Sequence, residues 1–173
     1  MQRFWHRGKL IMIDQLIRPH LRAGSRLLEI GCGAGNLLLQ ATVPGSYPVA
    51  LDLSMQALTF VRARLQDMAS AEEAPSGFTC TQAIGESLPF RANSFDCVLL
   101  SEVIEHLEAP QISIREAMRV LCPGGRLLIT TPNYRSFWPF MEWAVDRMNM
   151  APKMAGEQHI SRFHLSSLRK MLV

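Results

Sequence analysis

Apolar residues along the chain follow two alternating rhythms, and the alternation predicts an architecture. Leu10, Ile13, Ile17 and Leu21 recur at helical spacing, so an amphipathic helix opens the chain and is disturbed near Pro19. Short continuous apolar runs follow at Leu27 to Ile30, in "PVALDLS" up to Asp52, in "FTCTQAI", at Asp96 to Leu100, and in "RLLITT". Each is short enough for a strand. Between them lie helical patterns. One carries Leu37 to Gln40, and one has Ala57, Leu58, Val61, Leu65 and Met68 on a shared face behind a Ser54 cap. Another has Ile114, Met118 and Leu121, ended by Pro123 to Gly125, and "HISRFHLSSLRKMLV" reads as a final helix. Strands apolar on both faces and separated by helices call for a parallel sheet covered on both sides, an α/β doubly wound fold.

Composition narrows the class without naming a function. The 173 residues are 48% hydrophobic and 19% charged, ordinary values for one globular domain. A single domain over 1–173 is expected: an N-terminal helix (1–22), a core (23–133), and a lid with a C-terminal helix (134–173). The net charge of +3 is scattered, and the absence of a basic stripe argues against nucleic acid. Cys32, Cys80, Cys97 and Cys122 form no CxxC pair and read as reduced thiols of a cytoplasmic protein. The N-terminal apolar run is too short for a signal peptide or a membrane span.

Candidate chemistry begins at "LLEIGCGAG", Leu27 to Gly35. In an open parallel sheet, ligands bind beyond the carboxyl ends of the strands. Gly31, Gly33 and Gly35 stand at the end of the first strand, and Asp52 ends the second, where a carboxylate can accept from a ribose diol. The spacing is GxGxG with Asn36 following, not the GxGxxG of a dinucleotide site, which points to another adenosine-containing ligand. Singly, the glycines could serve a bare turn and Asp52 could cap a helix.

The ordered set "LLEIGCGAG", "ALDLS", "GESLPFRANSFDCVLLSEVIEHL" and "VLCPGGRLLITTPN" resembles the motifs of the class I S-adenosylmethionine-dependent methyltransferases, from about Leu21 to Leu172. The resemblance implies a Rossmann-like sheet in the order 3-2-1-4-5 and S-adenosyl-L-methionine as cofactor. It implies that Glu29, Gly31, Cys32, Gly33 and Gly35 hold the methionine moiety, and that Asp52 takes the ribose hydroxyls. Leu53 would pack on adenine, Ile84, Gly85 and Glu86 would line its edge, and Ser101 would face the sulfonium. Many members carry Asp where this chain has Ile84, so the contact to the adenine amine falls to Glu86 if its side chain turns inward.

In "SEVIEHL", a helical turn would put Glu102, Glu105 and His106 on one face. The run is similar to the metal-binding ExxEH of the ubiquinone-pathway catechol O-methyltransferases and of the small-RNA ribose methyltransferases. That likeness implies Mg²⁺ held by Glu102, Glu105 and His106, with His159 as a fourth ligand, and His106 and Glu105 as catalytic groups. Relatives in which such residues are merely solvated, or in which the histidine packs or acts as a base, leave the alternatives open. His6 and His164 read as structural or exposed.

Phe137, Trp138, Phe140, Met141, Trp143 and Met148 would form an apolar lid suited to an aromatic or lipid-like acceptor, with a peripheral membrane contact as a further reading. A hydroxyl of a small molecule is the expected methyl acceptor. RNA ribose methylation and a non-catalytic binding module are the alternatives. The family ordinarily adds two more strands, which are not legible here. "RLLITT" is therefore expected to be an unpaired sheet edge or to pair across a homodimer.

Overall fold

The computed structural model describes residues 2–69, 74–133, 147 and 160–172. Helix α1 (Gln2–Ile17) ends one residue before a 3₁₀ turn at Arg18–His20, where Pro19 removes an amide donor. Strand β1 (Arg26–Ile30) follows, then α2 (Asn36–Ala41), β2 (Tyr47–Asp52), α3 (Met55–Ala69), β3 (Thr79–Gln82) and β4 (Phe95–Ser101). A 3₁₀ turn at Ile104–His106, α4 (Pro110–Val120), β5 (Leu121–Thr130) and α5 (Leu165–Met171) complete the described chain.

All five strands are parallel and lie in the order β3-β2-β1-β4-β5. Strand alternation sends β1 and β4 side chains to two cores. On one face Leu27, Cys97 and Leu99 pack against α1 through Ile13 and Ile17, and against α3 through Leu58, Val61 and Leu65. On the other, Leu28, Ile30, Val98 and Leu100 meet α4 through Ile114, Ala117 and Val120. Helices cover both faces because both are apolar. Ser54 Oγ accepts from Ala57 N–H (3.2 Å), so the expected cap of α3 is formed.

Two local expectations change. The helix ending in "VLCPGG" stops earlier: Leu121 is already extended (φ −75°, ψ 134°), and α4 passes into β5 without a loop. The Pro-Gly-Gly run lies inside β5 instead, at the register shift between Phe95↔Leu121 and Cys97↔Arg126. The shift leaves room only for glycine: a Cβ on Gly125 would stand 2.9 Å from both Asp96 O and Cys122 O. Met118, which marks the helical spacing with Ile114 and Leu121, is 47% exposed, so that spacing does not trace the buried face.

Among the described residues β5 pairs with β4 only, apart from a bridge between Asn133 and Phe163 just past its end. The segment expected to form the lid lies outside the described residues except for Arg147. So does any strand it could add to that edge. Also among the described residues, no helix is long and apolar enough to cross a membrane.

The crowding at the bulge predicts unequal costs for its two glycines. Gly124 has open space around it and a positive φ of 78°, so Gly124→Ala adds only left-handed strain, about 1–2 kcal/mol. Gly125→Ala drives a methyl onto two carbonyls, and its expected cost is about 3 kcal/mol, enough to displace β5. Urea unfolding of both variants checks the order.

Candidate active site

Because the strands are parallel, the carboxyl ends of β1, β2, β3 and β4 share one rim, and the expected cofactor residues gather there. The turn after β1 is shaped by glycine in two different ways. Gly35 (φ +69°) admits no side chain, since a Cβ would sit 2.8 Å from Val61 Cγ2 on α3. Gly33 (φ +48°) meets nothing within 4 Å in the direction of a side chain, so the backbone there is open to a ligand.

Asp52 closes the rim. Its Oδ2 accepts from Gly33 N–H (2.8 Å) and its Oδ1 from Ser54 N–H (2.8 Å). The turn after β1 and the start of α3 are thus tied through one carboxylate. A carboxylate offers about four lone-pair sites, and two remain after these bonds. Gly31 and Cys32 amides both donate to Leu51 O (2.8 and 3.1 Å), which seats the turn on β2.

Glu29, expected at the methionine moiety, is 3% exposed and accepts from Leu38 N–H through Oε2 (2.9 Å). Helix α2 starts behind Gly35, which has no side chain to cap it, and Glu29 reaches across from β1 to satisfy that amide. Cys32 is buried between Glu29 and Asp52. Desolvation first, and then those two negative charges, push its thiol up to about 12. Cys97 is likewise pushed to about 12 by burial, and all four cysteines are free thiols.

Leu53, just past β2, and Ile84, two residues past β3, are 66% and 48% exposed. Gly85 and Glu86 are half-buried in the same β3–β4 connection as Ile84. Ser101 ends β4 and heads a short relay. Thr130 Oγ1 donates to Glu102 Oε1 (2.9 Å), so Ser101 Oγ donates to Thr130 Oγ1 (2.9 Å).

The metal set does not gather on one face. Residues 104–106 wind as a 3₁₀ turn, and Glu102 stands before it in a left-handed conformation (φ +54°) that lets its amide reach Thr130 O (2.9 Å). Glu105 turns inward and is fully buried, whereas Glu102 and His106 are exposed. No group of three or more His, Cys, Asp or Glu side chains poised for a metal ion occurs among the described residues. His159 lies outside them. Both Glu105 oxygens are buried without a hydrogen bond among the described residues; Thr131 Oγ1, itself unpaired, lies near without the geometry of one. Burial holds the Glu105 carboxyl above the usual carboxylate range; Glu102 adds to the shift, and the residue's own backbone, His106 and Thr131 oppose it.

His164 is structural, as expected: its Nδ1 accepts from Ser167 N–H (3.2 Å), and Ser167 Oγ accepts from the His164 N–H (3.0 Å), which caps α5. Other supporting residues escaped the sequence reading. Arg64 on α3 donates through Nη1 to Ala34 O (2.6 Å) and Asn36 Oδ1 (2.7 Å), bracing the glycine turn, and Gln82 Nε2 donates to Leu53 O (2.9 Å). Nothing in their spacing marks them, because each contact spans about thirty positions.

A methyltransferase-domain family model matches residues 28–129, spanning the glycine turn, Asp52 and β5. The chain belongs to the class I S-adenosylmethionine-dependent methyltransferase family. It is 31% identical over 182 residues to the ubiquinone/menaquinone biosynthesis C-methyltransferase UbiE of Roseobacter denitrificans, covering 98% of this chain and 67% of that protein. It is 33% identical over 132 residues to UbiE of Pseudomonas putida, covering 75% of this chain and 48% of that protein. An uncharacterized transposon protein of Streptomyces fradiae matches at 30% over 133 residues, covering 74% of this chain and 35% of that one. The methyltransferase chain thus spans about a third to two thirds of these relatives' lengths. Among solved structures, YcgJ of Bacillus subtilis superposes with a TM-score of 0.69 at 24% identity, covering 92% of this chain and 64% of its own. A possible histamine N-methyltransferase of Thermotoga maritima does so at 0.69 and 20%, covering 96% and 70%. These two likenesses establish the fold.

Two outcomes follow from the rim. Gly33→Ala adds strain of about 1–2 kcal/mol but also fills the open space, so it should leave a folded protein with weakened nucleoside binding. Gly35→Ala adds the same strain plus the collision with Val61 and should cost about 3 kcal/mol of stability. Thermal melts beside ligand titration separate the two. For Glu105 the sign is the reverse of an ordinary paired carboxylate. Its folded pKa lies above its unfolded one, so its destabilising effect is absent below about pH 4 and grows as pH rises past that value. Glu105→Gln should flatten that slope in melts recorded from pH 4 to 8.

Proposed function

We propose that the protein transfers a methyl group from S-adenosylmethionine to a ring carbon of a small aromatic acceptor of quinone type. The observation that carries the cofactor half is the Asp52 carboxylate, bonded to Gly33 N–H with two lone-pair sites left over beside open backbone. A ribose diol fits those sites, and the exposed Leu53 and Ile84 offer apolar surface to an adenine ring. Ser101, at the end of β4, is our candidate hydroxyl for the amino-acid end and the sulfonium, with Thr130 and Glu102 aligning it. Bound there, the cofactor supplies an electrophilic methyl group on a sulfonium.

The acceptor half rests on the relatives. The sequence alone points to a hydroxyl, but the relatives from Roseobacter denitrificans and Pseudomonas putida are named C-methyltransferases of ubiquinone/menaquinone biosynthesis, which favours a ring carbon. A phenolic carbon becomes nucleophilic once the ring hydroxyl gives up its proton. Of the two proposed catalytic groups, His106 is exposed at the β4 end of the rim and is the one we assign as the base. Glu105 is fully buried, which leaves His106 as the solvent-facing group of the two. Positioning does the rest: well-oriented intramolecular pairs react with effective molarities of about 10⁵–10⁸ M. Inward burial of Glu105 weighs against the two-carboxylate metal clamp of a catechol O-methyltransferase.

Calorimetry with S-adenosylhomocysteine tests the cofactor half. Binding by wild type that falls at least tenfold in Asp52→Ala is expected. No heat at millimolar ligand would leave a non-catalytic module of the same fold. A demethylated quinol supplied with cofactor bearing a labelled methyl tests the acceptor half. Label on carbon supports the reading, and label on oxygen returns it to the hydroxyl.

A further inference from the structure

The connection between β3 and β4, residues 83–94, carries Ile84, Gly85 and Glu86, and two side chains of α4 determine its course. Leu88 N–H donates to Glu116 Oε2 (2.9 Å). Arg119 donates through Nη1 to Phe90 O (2.9 Å) and through Nη2 to Leu88 O (3.2 Å). The same guanidinium forks onto Glu116, Nε to Oε1 at 2.6 Å and Nη2 to Oε2 at 2.8 Å. Three backbone groups of a loop without strand partners are therefore satisfied by one charged pair. Further along, Asn93 and Ser94 amides donate to Arg119 O (3.1 Å) and Val120 O (2.7 Å). At the near end, a Cβ on Gly85 would stand 3.0 Å from Ser113 Oγ and 3.1 Å from Ile30 Cγ2. Helix α4 thus holds this connection at three places along its length.

Such a pair on an ordinary surface stabilises little. Here it is bidentate, and its remaining bonds end on the backbone of the loop rather than in water. Arg119 and the Leu88 amide hold the Glu116 carboxyl down at about 2, so the pair stays charged throughout the neutral range. Leu88 is buried, and Phe90 stacks edge-on against Phe95 at 5.0 Å, which anchors the strapped end to β4.

We propose that Glu116 and Arg119 are positioning residues for base recognition: by fixing Leu88 and Phe90 they set where Ile84, Gly85 and Glu86 meet the adenine edge. The inference rests on the cofactor site assigned above. With Ile84 in a place that can accept nothing from an exocyclic amine, discrimination for adenine falls on the backbone and on Glu86, and both depend on the loop's course.

Titration calorimetry with S-adenosylhomocysteine and with S-inosylhomocysteine, in which a carbonyl replaces the amine, tests it. The proteins are wild type, Arg119→Met, Arg119→Lys, Glu116→Gln, and Arg18→Met as a control that removes the distant Arg18–Asp14 pair. Arg119→Met should weaken the adenosyl ligand about tenfold and bring the ratio of the two affinities toward one. Arg119→Lys should fall between, because an ammonium cannot form the fork. Arg18→Met should change neither value. A folded Arg119→Met with the wild-type ratio overturns the proposal, and so does a wild type that binds both ligands equally. If Arg119→Met does not fold by circular dichroism, Glu116→Gln is judged by the same ratio. A wild type that binds neither nucleoside overturns the methyltransferase reading itself, and this inference with it.

Discussion

One carboxylate joins the two halves of the ligand rim. Asp52 stands at the end of β2 and accepts from the amide of Gly33 after β1 and from the amide of Ser54 before α3. Without a shared acceptor, the turn after β1 would present an unpaired amide, and the first turn of α3 would begin where its own cap placed it. With it, a strand end, a glycine turn and a helix start are held in one geometry. Charge-assisted hydrogen bonds of this kind are stronger than neutral ones. The cofactor assignment, the role of the open backbone at Gly33 and the placement of Leu53 all presuppose that this tie is made.

Around the tie, support comes from three neighbouring elements. Glu29 caps α2 from inside the sheet, Arg64 braces the turn from α3, and Gln82 holds the Leu53 carbonyl from β3. Every one is a side chain satisfying a backbone group in a loop or at a helix end. That pattern is what a rigid site in an open α/β sheet requires, because loops supply the ligand contacts and have no ladder of their own. The family match, residues 28–129, covers this rim, while the acceptor side draws its reading from relatives longer than this chain.

The strands and the parallel sheet were legible in the sequence because continuous apolar runs and helical faces both left a clear periodicity; the strand order followed only from the resemblance to the methyltransferase family. The rim was legible because three glycines and an acid at fixed offsets from two strand ends are local signals. Two errors share one cause. A helical turn over Glu102 to His106 and a helix stop at Pro123 to Gly125 both suit the local pattern, yet in both places a tertiary contact overrides it. Glu102 adopts a left-handed backbone to pair with Thr130, and Gly125 yields to the carbonyl of Asp96 on the neighbouring strand. The Glu116–Arg119 pair shows at i, i+3 spacing on α4, but its grip on Leu88 and Phe90 spans about thirty residues that no window of sequence relates.

The protonation of Cys32 has a consequence for a protein that handles alkylating sulfonium compounds. Its sulfur lies in the very turn assigned to the donor, and a thiolate there would compete with the acceptor and end in a thioether on the protein itself. Burial first, and then the charges of Glu29 and Asp52, push that thiol up to about 12, so it stays protonated at neutral pH. Burial and the neighbouring carboxylates thereby act together against self-alkylation: the same negative surroundings that suit a cationic ligand disfavour a reactive sulfur beside it.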